Sequence, residues 1–411
     1  MGVALRWVAS EPGNTVRAAL GINRAANWSA FCDALRHWVM PSQNVVYADS
    51  AGNIGYYMPG LVPIRKRGVG AAPVPGWTGE HEWEGWIPFE ELPHAFNPAQ
   101  HFIATANNQI AGQEYSHFLT SETMNGYRAR RIVDLLTEKE KLSADDFARI
   151  QTDLYCAPAK PFCELLVAIT PKSERAKRAL TIIKAWDYYL TKDTIAGALF
   201  KLSEYFAMRQ IFDIWLGELT PHFIGVGVHP LLAPLSAYHD RSLVTLQRVL
   251  LNNERDWFKG RTREEILASA LEDAIAYLRQ AVGDDVSQWT WGRIHQVSFN
   301  HALGAQKPLD KLFNRGPYPY GGDTNTVWQA AYAPQLPINT NGGSASWRQI
   351  IDVGDWDASR AIHTTGQSGQ PASPHYADMI PLWLNGQYHP MLWSRAQVEA
   401  QAEARLVLRP L

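Results

Sequence analysis

The chain has 411 residues, of which 46% are hydrophobic, with 30 glycines, 25 prolines and 16 tryptophans. This composition is typical of an ordered globular protein with a large core and many loops, and it excludes a disordered chain. With 38 basic against 40 acidic residues, and no basic stripe, the charge pattern gives no reason to expect binding to nucleic acid or to anionic lipid.

Targeting and redox signals are also absent from the sequence as written. No apolar run approaches the ~20 residues that a membrane-spanning helix needs, and the first residues, MGVALRWVASEPGN, are too short and polar for a signal peptide. The three cysteines, Cys32, Cys156 and Cys163, cannot all pair with one another, and their spacing matches neither a zinc ribbon nor a CxxC motif. We expect them to be small buried hydrophobic residues.

The first predicted elements are helices followed by a hairpin. Residues 15–39 have apolar positions at three- and four-residue steps around a cap-like break at Asn27–Ser29. From Asn44 the period changes, because Val45–Ala48 and Ile54–Tyr57 are β-prone runs joined by the turn-forming residues DSAGN.

The segment Val62–Pro98, which we call the collar, contains too many prolines and glycines for a long helix and is predicted to be an ordered series of turns. Its residues Trp77, Trp83 and Trp86 either line a pocket for an aromatic or acyl group or anchor the collar to the core. The Glu80-His81-Glu82 triplet lacks a second histidine at helical spacing, so we do not predict zinc.

The stretch His101–Gln109, HFIATANNQ, is a short β-prone run that ends in Asn107 and Asn108. It is predicted to be a strand that presents an amide to a site. An Asn NH2 group is a neutral donor suited to an oxyanion. The alternative, which the local sequence favours, is a simple turn, because Asn tolerates left-handed geometry.

The chain from 130 to 310 is predicted to be mainly helical, after a helix that starts near GYRARRI. Ser143 is a predicted N-cap, although Asp146 departs from the strict capping box, which has Glu or Gln. Predicted helical segments include Glu174–Leu190, Ile195–Leu216, Ser242–Asn252 and Thr262–Val282.

After His301 the sequence returns to β-type patterns. A strand is predicted at Trp347–Val353 and another up to Thr364, followed by the loop Gly366–Gly369 and a helix near Tyr376–Leu384. Strands on both sides of a helical block predict an α+β protein. We expect residues 1–129 and 311–411 to be the sheet-forming parts of one discontinuous domain, with 130–310 as a mainly helical region.

A search for catalytic motifs excludes several classes. GQSGQ is not a nucleophile elbow around Ser368, because Gln370 replaces the final glycine, and no P-loop or GxGxxG motif supports a phosphate or dinucleotide cofactor. The acidic pairs Glu90–Glu91 and Asp145–Asp146 allow a carbohydrate-active enzyme only as a weak alternative, because such pairs are usually a solvated face or a helix N-terminus.

Several long motifs occur in one order along the whole chain and together resemble the penicillin acylase family. They are NVVYADSAGNIGYYMPG, PVPGWTGEHEWEGWIPFEELP, FNPAQHFIATANNQ, GYRARRI, WTWGRIHQVSFNHALG, RGPYPYGGDTNTV, RQIIDVGDWD and TTGQSGQPASPHYADMIPLWLNGQYHPMLW. The resemblance implies an N-terminal nucleophile hydrolase, here an incomplete αββα four-layer sandwich with a large helical insertion. It also implies hydrolysis of an N-acyl amide through a serine whose free amino group is the base.

The resemblance assigns roles to two residues. It implies that Asn107 is the side-chain member of the oxyanion hole and that Arg128, of GYRARRI, orders the site near the nucleophile. Without the resemblance, Arg128 would be interpreted as a surface ion pair at a helix start.

The family's nucleophilic serine lies upstream of NVVYAD, and we expect it to be absent from this chain. The first serine, Ser10, is in a predicted coil, and Gly343-Ser344, which looks like a self-cleavage junction, is assigned to a loop. No metal ligand is predicted. No cofactor is required for the chemistry, and a structural calcium ion of the full-length family protein has no matching acidic ligand here. The resemblance implies a periplasmic or secreted full-length protein.

Two hypotheses follow. In the first, the chain is the C-terminal part of an amidase acting on small N-acyl substrates such as β-lactams or acyl-homoserine lactones, is inactive alone, and has the missing upstream segment or subunit as its partner. In the second, it is a non-catalytic scaffold or binding module derived from the same fold.

Overall fold

The computed structural model describes residues 2–227, 238–338 and 343–410. The chain divides into two compact units, Met1–Ala129 and Arg130–Leu411, and each unit is described by itself.

The first unit combines two helices with short antiparallel strands. Helix α2 begins where the Asn27 side chain accepts a hydrogen bond from the Ala30 amide at 2.9 Å. Strands β1, β2 and β5 form one antiparallel sheet in the order β1-β2-β5, and β3 pairs with β4. The elements are α1 (Thr15–Ile22), α2 (Trp28–Leu35), β1 (Val45–Ala48), β2 (Ile54–Tyr57), β3 (Pro63–Arg65), β4 (Trp83–Trp86) and β5 (His94–Phe96).

The core of this unit forms where α2 covers the β1–β2 hairpin. The Trp28 ring stacks on Phe96 at 5.1 Å between ring centroids and meets Tyr47 edge-on at 5.4 Å. Gly55 on β2 is required by this packing, because a Cβ atom there would lie 2.3 Å from the Trp28 ring. Leu35 is fully buried beneath the same aromatic group.

The second unit is mainly helical. Helix α3 (Tyr127–Leu136) contains the boundary between the units, and α7 (Ile195–Leu216), with 22 residues, is the longest helix in the described part of the second unit. The helices are α3 (Tyr127–Leu136), α4 (Ala144–Gln151), α5 (Ala159–Val167), α6 (Glu174–Lys184), α7 (Ile195–Leu216), α8 (Thr220–Phe223), α9 (Tyr238–Leu251), α10 (Arg263–Ala281), α11 (Trp291–Ile294), α12 (Asp310–Phe313), α13 (Ile380–Leu384) and α14 (Arg395–Ala400).

Helices α7 and α10 form the centre of the larger core. The N-terminal half of α7 is buried on all sides, which is the pattern of a central helix rather than a surface one. Helix α10 begins with a capping box between Thr262 and Glu265. Each fully buried Leu or Phe in this core stabilises the fold by roughly 1.5–3 kcal/mol relative to exposure.

The remaining strands belong to the second unit and are antiparallel. They are β6 (Gln296–Phe299), β7 (Arg315–Pro319), β8 (Trp347–Ile350), β9 (Arg360–His363) and β10 (His389–Pro390). β6 pairs with β7, and the other three form a sheet in the order β10-β9-β8. A second, smaller core contains the stacked rings of Tyr320 and Trp383, whose centroids are 4.9 Å apart.

The structure confirms the predicted hairpin, the two N-terminal helices, the helical region and strands near Trp347 and Thr364. Helices and antiparallel sheets agree with the α+β class. The discontinuous domain formed by 1–129 and 311–411 stays a prediction, and residues 311–411 fall in the same compact unit as 130–310. No helix among the described residues is long and apolar enough to cross a membrane.

Three expectations are corrected. The predicted strand at His101–Gln109 is not observed, and the described residues 97–126 contain no strand. A β-prone run becomes a strand only where a neighbour completes its hydrogen-bond ladder. The collar is more regular than predicted, because it contains β3, β4 and β5. Finally, Ser143 and Asp146 do form a capping box, since the shorter Asp side chain also reaches the N-cap amide, at 2.9 Å.

Candidate functional site

Asn107 occupies a left-handed backbone position, with φ of +61°. Asparagine is one of the few side-chain-bearing residues that adopt this region readily. The turn is held on one side by the Met124 amide, which donates to the Asn107 carbonyl at 2.9 Å, and on the other by Asn108, whose Oδ1 accepts from the Ala106 amide at 3.0 Å. The paired asparagines therefore have different tasks: Asn108 stabilises the turn, and the Asn107 side chain is exposed.

Arg128 binds this turn directly. Its Nη2 donates to the Ala106 carbonyl at 2.9 Å and to Asn107 Oδ1 at 3.0 Å. Arg128 is the second residue of α3, so the first turn of the helix places its guanidinium beside the asparagine. The structure thus brings together the two residues that sequence analysis singled out.

The orientation of the Asn107 amide follows from this contact. A guanidinium group can only donate, so the atom that faces Arg128 is the oxygen and the NH2 group points away. Within the described residues, Asn107 Nδ2 donates no hydrogen bond. The arrangement leaves an outward-facing neutral donor beside a cation, which suits a developing oxyanion.

The residues before Asn107 are tied to the β1–β2 hairpin. Asn44 Nδ2 donates to Thr105 Oγ1 at 3.1 Å, and Asn44 Oδ1 accepts from the Tyr56 hydroxyl at 2.6 Å. Burial raises the pKa of Tyr56 to about 12, so the phenol stays protonated and keeps its donor role. The hairpin motif therefore helps to fix the position of the amide-bearing turn.

The collar tryptophans do not form one pocket wall. Trp83 and Trp86 lie on β4 with their ring centroids 5.3 Å apart, and the Arg6 guanidinium lies over Trp83 at 4.4 Å. Trp77 is 82% exposed. The anchoring interpretation fits Trp83 and Trp86 better than a closed acyl pocket does.

The acidic pairs have structural partners. Glu90 forms an ion pair with Arg36 at 2.5 Å, and Glu91 with His117 at 2.6 Å. Asp145 and Asp146 stand in the first turn of α4, where Asp146 completes the cap. These contacts favour the structural interpretation over glycosidase carboxylates.

None of the serines considered from the sequence has the setting of an activated nucleophile. Ser10 ends a 3-10 turn, Ser344 forms an isolated β-bridge with Ala330, and Ser368 lies in a loop where it accepts from the Gln370 amide at 3.1 Å. The loop assignments of Ser344 and Ser368 agree with the structure.

Metal-binding and cysteine chemistry find no support in the described part of the chain. No group of three or more His, Cys, Asp or Glu side chains is placed to hold a metal ion there. Cys156 and Cys163 are buried, as expected, and Cys32 is half-buried. Burial raises the pKa of all three thiols, which makes them poor nucleophiles.

Sequence analysis missed a buried ionic group in the second unit. Lys201 on α7 contacts Glu204 on the same helix and Asp323 in the GGDTNTV loop, with 3.1 Å between Lys201 Nζ and Asp323 Oδ2. Burial alone would lower the pKa of Lys201, but the neighbouring acids and Tyr332 raise it above its usual value. The signal was present in the sequence, since Lys201 and Glu204 interrupt the mainly apolar N-terminal half of the helix.

Comparison with known proteins gives a consistent result. The family model described as penicillin amidase matches residues 1–400. The chain is 33% identical over 384 residues to penicillin acylase 2 proenzyme of Pseudomonas sp. (strain SE83), covering 91% of this chain and 47% of that protein. It is 31% identical to the acyl-homoserine lactone acylase QuiP of Pseudomonas fluorescens, covering 94% of this chain and 48% of the relative.

More distant similarities extend the same pattern. Penicillin G acylase of Escherichia coli is 26% identical, with coverage of 94% of this chain and 47% of the relative. A solved structure of a thermostable penicillin G acylase from Alcaligenes faecalis matches with a TM-score of 0.63 and 22% identity, covering 97% of this chain and 73% of that chain, which shows a shared fold. The chain spans about half the length of the curated relatives it matches.

Proposed function

Because the chain belongs to the penicillin amidase family, we propose that it is the C-terminal part of an amidase that hydrolyses N-acyl amide bonds through an acyl-enzyme. Small N-acyl substrates, such as β-lactams or acyl-homoserine lactones, are the proposed class. The names of the relatives support this choice, since they include penicillin acylases and acyl-homoserine lactone acylases.

One observation carries the proposal. Arg128 Nη2 donates a hydrogen bond to Asn107 Oδ1 at 3.0 Å, so the NH2 group of Asn107 points outward. Attack on an amide carbonyl turns its oxygen into an oxyanion. In the proposed site, Asn107 Nδ2 donates a hydrogen bond to that oxyanion, and the positive charge of Arg128 stabilises the oxyanion electrostatically. One such donor typically lowers the barrier by about 3 kcal/mol.

The proposed nucleophile is an N-terminal serine on an upstream segment or subunit of the same enzyme. Its hydroxyl attacks the acyl carbon, its own α-amino group accepts the hydroxyl proton, and the amine product leaves with that proton. Water then attacks the ester and releases the carboxylic acid. Coverage of only 47% of a relative named as a proenzyme supports an upstream partner. In this proposal the two parts complete an αββα four-layer sandwich.

The test is hydrolysis of a panel of N-acyl anilides by the purified chain alone and by the chain coexpressed with the segment encoded upstream of it. The proposal expects turnover only with the upstream segment. Turnover by the isolated chain would contradict a nucleophile supplied from outside. A stable complex with no turnover on any substrate would favour the non-catalytic scaffold.

A further inference from the structure

Strand β8 carries a charged residue on its buried face. Along the strand, Trp347 and Gln349 are exposed, whereas Arg348 and Ile350 are buried. Arg348 is only 6% exposed. Alternation along a strand normally gives such a position to an apolar residue, so this arginine needs a specific reason.

Arg348 is held between aromatic rings without a counterion. Its guanidinium carbon lies 4.6 Å from the Trp328 ring centroid and 5.4 Å from that of Trp383, and its Nη2 donates to the Trp383 carbonyl at 2.5 Å. No carboxylate in the described part of the chain forms an ion pair with it. A buried cation without an anion is strongly destabilising, and burial lowers the pKa of Arg348 accordingly.

Other hydrogen-bond donors converge on the same place. The buried atoms Tyr320 Oη, Trp328 Nε1, Ser344 Oγ and Arg348 Nε form no well-aligned hydrogen bond in the described chain, although the last three residues lie close to the Tyr320 hydroxyl. The Tyr320 and Trp328 ring centroids are 5.8 Å apart. Burial raises the pKa of Tyr320, while Trp328, Ser344 and Arg348 lower it, as expected if all three lie beside its hydroxyl.

Trp328 and Arg348 also line an open cleft. The cleft has a volume of about 310 Å³ and is lined by Trp328, Arg348, Trp347, Gln151 and Gln329, among others. This volume is at the lower end of the range for small-molecule sites. The lining combines indole surface with amide side chains and the Arg348 guanidinium, so it suits a molecule that has both an apolar group and a charged oxygen.

We propose that this cleft, the Arg348 cleft, binds a small carboxylate-bearing molecule. The carboxylate accepts hydrogen bonds from the Arg348 guanidinium, and the apolar part of the molecule rests on the Trp328 and Trp347 rings, which line the cleft. A carboxylate is favoured over a phosphate because one guanidinium balances a single negative charge.

The proposal is independent of the amidase chemistry, since neither Asn107 nor Arg128 contributes to the cleft. If amide hydrolysis is not observed, the carboxylate-binding proposal is unaffected. If no carboxylate binds, the amidase proposal is unaffected.

Titration of the full chain with sodium phenylacetate and sodium acetate tests the proposal, with phenylacetamide as the uncharged analogue and sodium chloride at equal ionic strength. We expect saturable binding of both carboxylates, tighter for phenylacetate, and none of phenylacetamide. Arg348→Gln is expected to weaken binding at least about tenfold, because a charge-assisted hydrogen bond is lost. Arg348→Lys retains the charge, so its carboxylate affinity should lie between those of the unmodified chain and Arg348→Gln.

Arg315→Gln is the matched control, because Arg315 also lies over an aromatic ring, that of Tyr376 at 4.6 Å, but does not line the cleft. Its carboxylate affinity should equal that of the unmodified chain. If Arg348→Gln does not fold, the indole N–H resonance of Trp328, assigned with Trp328→Phe, gives a second readout. This resonance should shift on adding acetate.

Absence of saturable carboxylate binding by the unmodified chain would overturn the proposal. So would unchanged affinity in Arg348→Gln, binding of phenylacetamide as tight as that of phenylacetate, or a Trp328 resonance that does not respond.

Discussion

Arg128 fixes the geometry of the turn that contains Asn107 and also supplies a positive charge there, and substitutions can separate these two contributions. It orients the Asn107 amide through a contact at 3.0 Å and anchors the turn through the Ala106 carbonyl at 2.9 Å. It also brings a positive charge next to the proposed oxyanion. Lysine can supply the charge but not the fixed geometry of the guanidinium fork.

We call the chain coexpressed with its upstream segment the complemented enzyme. Arg128→Lys is expected to lower kcat of the complemented enzyme by roughly tenfold and Arg128→Met by more, with smaller changes in KM. Steady-state kinetics on an N-acyl anilide provide the measurement. Arg130→Met is the control, because Arg130 lies on the same helix and forms only an exposed i,i+4 pair with Asp134 at 2.9 Å. Equal kcat values for Arg128→Met and Arg130→Met would argue against a role for Arg128.

The environment of Asp49 predicts that the stability of the first unit depends on pH. Contacts from Asn53 and Tyr47, and from backbone amides in the β1–β2 turn, lower the pKa of Asp49 from 3.8 to about 2. Because the folded-state pKa is depressed, its stabilisation is fully present above the unfolded pKa and is lost as pH falls from about 4 towards 2. Urea midpoints measured across this range should fall more steeply for the unmodified chain than for Asp49→Asn. Parallel curves would show that Asp49 does not contribute.

At the scale of elements, helix caps give a direct stability prediction. Thr262 Oγ1 accepts from the Glu265 amide at 3.1 Å at the start of α10, the helix that packs on α7. Thr262→Ala should lower the free energy of unfolding by about 0.5–2 kcal/mol. Urea unfolding followed by circular dichroism measures the change.

Thr245→Ala provides the comparison. Thr245 lies within α9, and its hydroxyl donates back to the Arg241 carbonyl at 2.8 Å, a contact that does not favour a helix. Its replacement should change the stability by less than about 0.5 kcal/mol. A larger loss for Thr245→Ala than for Thr262→Ala would be inconsistent with the capping account.

Elements with a strong local signal were predictable from sequence. The strands Val45–Ala48 and Ile54–Tyr57 and the helix Ile195–Leu216 occur with the predicted bounds, because their periodicity and turn residues agree with their tertiary environment. His101–Gln109 failed because β-propensity alone does not supply a partner strand. Strand β7 was missed because glycine and proline in Arg315–Pro319 do not read as a strand, although the segment pairs with β6. Strand β6 was missed because it lies in the region predicted to be mainly helical.

The candidate site was predictable only in part. Asn107 and Arg128 were identified through family resemblance, and their hydrogen bond across 21 sequence positions could not be derived from local pattern. Arg348 had no sequence signal, because β8 reads as an ordinary alternating strand until its buried face is known. Long-range contacts of this kind depend on the fold, whereas capping and hairpin chemistry are local.

At the scale of the whole molecule, each compact unit has its own hydrophobic core. The first unit buries the aromatic group around Trp28, and the second buries the α7–α10 core. Asn107 and Arg128 both belong to the first unit, so their contact does not depend on the arrangement of the two units. The chain spans about half the length of its curated relatives, and the amidase proposal therefore concerns a larger enzyme.

The most direct test of the central proposal is kcat of the complemented enzyme with Asn107→Gly. Glycine accepts the φ of +61° without strain, so the substitution removes the amide and preserves the turn. Asn97→Gly is the matched control, because Asn97 also has a positive φ, of +46°, but its side chain bonds to Asn53 and to the Ile54 amide.

The oxyanion role predicts that Asn107→Gly lowers kcat by about 10²–10³-fold with little change in stability. Asn97→Gly should lower the stability while kcat stays unchanged. If Asn107→Gly retains the kcat of the unmodified enzyme, Asn107 is a turn residue and the proposed oxyanion hole is wrong.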